Sequence, residues 1–204
     1  MKINKIKSII MIFLVVVLFI IIQTIGETDD NKTTININNQ TIENTPKLTI
    51  KYTPLGVPNI NNSFKTWMSY KAVTNKNSPQ YKFIHTYGWS DSEGFMRCSG
   101  ERDLGVEQDY YLIAIGSYYG TDIGAKYRIT LDTGRVFYGA LADSKNNKHT
   151  NSTNQYIPKN GNMVEFLVDT SKLNKEVKKM GSANVYMPLN GQIVKIERME
   201  FVVK

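Results

Sequence analysis

Cysteine is all but missing from this 204-residue chain: Cys98 stands alone, which excludes a disulfide framework, a Cys-built zinc site and a CxxC redox pair. Histidine is nearly as scarce. His85 and His149 are the only two, too few for a His-rich metal centre, so no metal and no cofactor is expected. Several glycine- and motif-based chemistries are absent as well. No Gly-x-x-x-x-Gly-Lys-Ser/Thr loop, HExxH helix, GxSxG elbow or dinucleotide-binding glycine fingerprint occurs. The formal charge is +7, yet no block of five or six like charges is present. Nor is a basic stripe interleaved with stacking aromatics, which argues against nucleic acid and for diffuse affinity toward anionic polymers or lipid headgroups. Cys98 and His85 have the residue types of a nucleophile–base pair, but nothing flanks them to support it. A lone cysteine reads first as a small buried hydrophobe.

What is present begins with an anchor. Lys2, Lys5 and Lys7 precede an uninterrupted apolar run from Ile9 to Ile22. Counted from Ser8 to Ile25, a helix of about 18 residues rising ~1.5 Å each approaches the hydrocarbon thickness of a bilayer. The lysines on one flank, with Glu27, Asp29 and Asp30 on the other, put the N-terminus inside and the rest outside. The same pattern suits a cleaved secretory signal, although no small-x-small site follows the run, which favours an uncleaved anchor. Export follows either way. Residues 1–26 are therefore expected as a single transmembrane helix in a cell membrane, and residues 27–46, polar and rich in Asn and Thr, as a disordered stalk.

From Lys47 onward, short apolar or alternating runs bounded by turn residues predict a mainly β fold. Twelve tyrosines and eight phenylalanines agree with it. The expected strands are Leu48–Thr53, Phe64–Val73, Tyr81–Tyr87, Tyr110–Ile115, Lys126–Leu131, Arg135–Ala142, Met163–Val168 and Gln192–Val203. Asp132-Thr133-Gly134 reads as a hairpin turn. One short helix is expected over Lys172–Met180, with Ser171 as its cap and Gly181 as its stop. Two acids stand out at strand ends. Asp143 is expected where Arg135–Ala142 leaves the sheet, and Asp169 follows Met163–Val168. On one sheltered rim, such carboxyls would have raised pKa values suited to proton donation. As plain turn or capping residues they would do no chemistry. Tyr118 and Tyr119 could offer aromatic faces to a ligand or only cover the end of the sheet. Lys145, Lys148 and His149 lie in a long polar loop, either contacting a ligand or simply solvated.

The stretch from Tyr110 to Phe201 resembles the double-psi β-barrel domains of rare lipoprotein A, expansin-like and three-aspartate cell-wall proteins. The likeness runs in order through Tyr110–Ile115, Ile123-Gly124-Ala125-Lys126-Tyr127-Arg128-Ile129, Ala142-Asp143-Ser144, Val168-Asp169-Thr170-Ser171 with its helix, and a closing strand after Gly191. It implies a six-stranded double-psi barrel over residues 110–204 and a polysaccharide groove, with residues 47–109 as an N-terminal β extension. It further implies lytic transglycosylation of peptidoglycan, with Asp143 as general acid and base and Asp169 holding the groove. Tyr118, Tyr119, Lys145 and His149 would touch the substrate. The chain departs from the family at Gly116, where an acid is usual, and at Lys145, which follows the Asp motif where the family has its glycine. A non-catalytic glycan-binding module, or a scaffold of a surface assembly, is the alternative.

Overall fold

The computed structural model describes residues 47–60 and 65–203. Residues 1–46, which include the expected anchor and stalk, lie outside them. Among the described residues no helix is long and apolar enough to cross a membrane. Among the described residues the fold is mainly β, a mixed nine-stranded sheet with two short α-helices and several single 3₁₀ turns. In chain order the elements are β1 (Leu48–Leu55), β2 (Lys65–Ser69), α1 (Pro79–Tyr87), β3 (Trp89–Ser90), β4 (Met96–Cys98), β5 (Tyr110–Ile115) and β6 (Lys126–Leu131). These are followed by β7 (Val136–Ser144), β8 (Val164–Val168), α2 (Lys175–Met180) and β9 (Ile193–Val203).

Strand β5 is the hub. One edge pairs in parallel with β7. The other pairs antiparallel with β4 at Tyr110 and Tyr111, and then with β8 at Ile113 and Ala114. From β7 the ladders continue antiparallel through β6 to β9 and on to β1, while β2 lies parallel to β8. Every residue of β5 is buried, because both of its faces are covered. Tyr111, Ile113 and Ile115 point into a core shared with Phe137, Phe166 and Val177. Tyr110, Leu112 and Ala114 point the other way, toward Ile84 of α1, Cys98, Ala140 and Met199. Gly139 of β7 lets the two parallel strands approach closely. A Cβ there would overlap the side chain of Ile113.

The hairpin turn at Asp132-Thr133-Gly134 is present, with Gly134 at φ +77° and its N–H bonded to the Leu131 carbonyl at 2.9 Å. Three expectations need correction. Tyr81–Tyr87 is not a strand but the body of α1, which Ser78 caps by accepting from the Tyr81 N–H and which Pro79 opens at its first turn. Ser78-Pro79 is a helix-start signal, and the apolar residues Phe83, Ile84 and Tyr87 recur at helical rather than alternating spacing. The C-terminal helix starts later than expected. Asn174, not Ser171, is its cap, accepting from the Glu176 and Val177 N–H groups. Among the described residues two α-helices therefore stand where one was expected, and α1 lies within the segment 47–109.

Candidate functional site

Asp143 does not leave the sheet. Strand β7 runs on to Ser144, and a bulge between Ile113 and Ala114 brings Asp143 into register opposite Ala114. The same Ala114 pairs on its other side with Glu165 of β8. Two carboxylates thus flank one small residue of the hub strand. The chain after β7 stays attached, since the Lys145 N–H donates to the Ile115 carbonyl at 3.0 Å. That bond prolongs the β5–β7 ladder and turns the Lys145 side chain inward, where only 2% of it is exposed.

The Lys145 ammonium lies 3.7 Å from Oε2 of Glu165 and has no hydrogen-bond partner of its own. Glu165 Oε1 accepts from the Thr66 hydroxyl at 3.3 Å, and that hydroxyl accepts from Nδ2 of buried Asn162 at 2.6 Å. Strands β2, β5, β7 and β8 therefore converge on a sheltered polar group of Asp143, Lys145, Glu165, Thr66 and Asn162. Half-burial raises the Asp143 carboxyl above the usual aspartate range. The Ser144 N–H and the Lys145 ammonium pull it down, and the Glu165 carboxylate pushes it up. Burial lowers the Lys145 ammonium, while Glu165 and Asp143 favour its charged form. The arrangement can hold a proton on Asp143 at higher pH than a solvated aspartate would. It also keeps one unbonded ammonium beside it.

The other expected residues are distributed unevenly. Asp169 sits past the opposite end of β8 from Glu165, and its Oδ1 accepts from both the N–H and the hydroxyl of Ser171. Those bonds lower its carboxyl. The acid brought to Asp143 is Glu165 rather than Asp169. Tyr118 is exposed at the rim and donates its N–H to the Asn154 carbonyl. Tyr119 is buried, edge-on to Tyr118, and offers no free face. His149 is exposed in a 3₁₀ turn over Asn147–His149. Lys145 is not a solvated loop residue, because its N–H bond to Ile115 keeps it in the β5–β7 ladder with its side chain buried. Cys98 and His85 are unpaired with each other. The Cys98 thiol accepts from Lys126 Nζ at 3.4 Å, and His85 stacks on Tyr81.

Glu165 was missed as a site residue, although the signal was there. An ionisable residue in the middle of Met163-Val164-Glu165-Phe166-Leu167-Val168 is out of place in a core strand unless it has a partner. The loop between β7 and β8 is anchored to the rim. Ser117 Oγ bonds Asn147 Oδ1 at 2.8 Å, and Gln155 Nε2 bonds the Gly56 carbonyl at 2.9 Å. Gly116 permits this contact, since any Cβ there would collide with the Asn154 carbonyl oxygen.

Compared with protein-family models, curated proteins and solved structures, the chain matches none.

Proposed function

We propose that this chain acts on peptidoglycan glycan strands from the outer face of a membrane, by a lytic-transglycosylase-like cleavage in which Asp143 is the general acid and base. The observation that carries this reading is a half-buried aspartate with a raised carboxyl pKa, flanked across Ala114 by a second carboxylate and beside a buried, unbonded ammonium. Protonated Asp143 donates to the glycosidic oxygen as the bond from that oxygen to the anomeric carbon breaks. The resulting carboxylate then takes the proton of the same sugar's 6-hydroxyl, whose oxygen attacks the anomeric carbon and closes an anhydro ring. Asp143 is regenerated, and no water is consumed. The Glu165 carboxylate favours the positive charge that develops on the sugar, and the Lys145 ammonium suits an oxygen acceptor of the substrate. No metal or cofactor enters the scheme.

The double-psi barrel is part of the same proposal. Residues 110–204 supply five of its six strands, β5–β9, and β2, from outside that range, would be the sixth; the two parallel ladders, β5 with β7 and β2 with β8, suit its crossed connections. The membrane attachment rests on the apolar run within residues 1–26. Full-length protein incubated with wall sacculi is expected to release anhydro-muropeptides, and Asp143→Asn to abolish that release. Equal release by the Asp143→Asn variant would overturn the assignment. A non-catalytic glycan-binding module is the second reading, favoured by the single exposed rim tyrosine, Tyr118. It requires sacculi to retain the protein with no soluble product, and Tyr118→Ala to weaken retention.

A further inference from the structure

A second site lies at the other end of the same strands. A cleft of about 800 Å³ is lined by Tyr111 at the start of β5 and by Val136 and Phe137 at the start of β7. Val136 and Asp143 stand near opposite ends of β7, roughly 23 Å apart at about 3.3 Å per residue. The cleft is therefore separate from the Asp143 group.

Its floor is built. The Arg97 guanidinium lies 3.3 Å over the centre of the Tyr111 ring. Arg97 Nε donates to Asp91 Oδ2 at 2.9 Å and Nη1 to the Asp109 carbonyl at 3.2 Å. Asp91 is fixed in turn by the N–H groups of Glu93 and Phe95 on its Oδ1. These bonds, with a further one to the Tyr111 hydroxyl, hold the guanidinium in place while part of its five-donor fork remains for a ligand. The rim is aromatic. Trp89, on the two-residue edge strand β3, is 44% exposed, and Tyr186 stacks on Phe95 with ring centres 5.2 Å apart.

The charges select the ligand class. Asp91, Glu107 and Asp109 face Arg97 and Arg135 in the lining, and Arg102 pairs with Asp109 at 2.9 Å. Signs cancel, so the cleft has no positive well for a phosphate or other polyanion. An added peptide strand finds only two residues of edge on β3, too little ladder to hold it. What fits is a flat, uncharged molecule with an apolar face for Trp89 and Tyr186 and hydroxyl or amide edges for Arg97 and Asp91.

We propose that this cleft is a second carbohydrate subsite, which binds an uncharged N-acetylated pyranose of a glycan strand by stacking on Trp89 and Tyr186. It rests on the glycan reading above for the kind of sugar, but not on Asp143 chemistry. It would hold one part of a strand while another part lies at Asp143.

The test is calorimetric titration of the full-length chain with chitotetraose, a soluble run of four N-acetylglucosamine units. Saturable binding is expected, retained in Asp143→Asn and weakened at least tenfold in Trp89→Ala and in Tyr186→Ala. A Trp67→Phe chain leaves Trp89 as the sole tryptophan, and its emission should shift with the same saturation curve. Absence of saturable binding, or affinity unchanged in both aromatic variants, overturns the proposal. So does saturation by a wall stem tetrapeptide in place of the saccharide. Anhydro-muropeptide release that survives while the cleft variants bind normally would sink the cleft and leave Asp143 standing. Loss of release in Asp143→Asn with binding kept is the pattern expected if both are right.

Discussion

Replacing Glu165 by Gln strands a charge. Lys145 Nζ lies 3.7 Å from the Glu165 carboxylate, which at an effective dielectric near 20 corresponds to about 4 kcal/mol of gross attraction. The Glu165 side chain is 26% exposed, so water screens part of that attraction, and ~2–3 kcal/mol is the reasonable loss. The reverse substitution, Lys145→Met, leaves a carboxylate that keeps its Thr66 bond and its access to water, and should cost about 1 kcal/mol or less. The pair is thus expected to be asymmetric. In urea titrations at pH 7, a 2–3 kcal/mol loss lowers the midpoint by about 1–1.5 M for a typical slope.

The sign of the pH dependence follows from the lowered ammonium. The folded chain binds the Lys145 proton less tightly than the unfolded chain does, so stability rises as pH climbs from the folded pKa toward the ordinary lysine range. Without Glu165 the folded value drops further, since that carboxylate was pulling it up. The Glu165→Gln deficit is therefore fullest at pH 7 and shrinks by pH 10, where the amine is becoming neutral in both states. Equal deficits at the two pH values, or equal costs for the two substitutions, would refute the buried-ammonium argument.

Three further outcomes are expected. If Asp143 must be protonated to start cleavage, release from sacculi falls on the alkaline side as pH passes its raised carboxyl pKa, and Lys145→Met, by removing a cation that lowers that pKa, moves this limb to higher pH. Pre-steady pH–rate profiles of both proteins decide it, and an unmoved limb counts against the assignment. Gly116→Ala forces the Asn154 carbonyl away and should cost about 1–3 kcal/mol, with faster proteolytic nicking in the loop between β7 and β8. Cys98 is buried and burial pushes its thiol up, so disulfide-exchange reagents should label native protein at least about a hundredfold more slowly than urea-unfolded protein. Fast labelling of the native chain would show that β4 opens.

The core strands were legible because their apolar runs are short and bounded by turn residues. Tyr110–Ile115 and Lys126–Leu131 fall where period and punctuation put them, and the others shift by a residue or two, except that the run Phe64–Val73 yields only the strand Lys65–Ser69 before a 3₁₀ turn at Tyr70–Ala72. Tyr81–Tyr87 misled because aromatic residues carry strand propensity, whereas the cap and the proline before them decide locally for helix. Strands β3 and β4 are too short to show a period at all. At the site, Asp143 was visible as the acid ending an apolar run. Its neighbours were not, because they come from register. Only pairing through Ala114 tells that Glu165, and not Asp169, is the facing acid. Lys145 looked like loop because a charged residue among Ser, Asn and Lys has no pattern of its own. The distant cleft was illegible for the same reason. Trp89, Arg97, Tyr111 and Tyr186 come from four separate stretches of chain.

The pairing of β1 with β9, from Leu48 against Val203 to Leu55 against Ile196, has a consequence for biogenesis. Among the described strands β1 finds its ladder in β9 alone. Joining segments so far apart along the chain carries an entropic charge of about 4 kcal/mol, settled only once β9 has been made. Until then β1 is an open edge, and a product truncated before β9 would present it to neighbours.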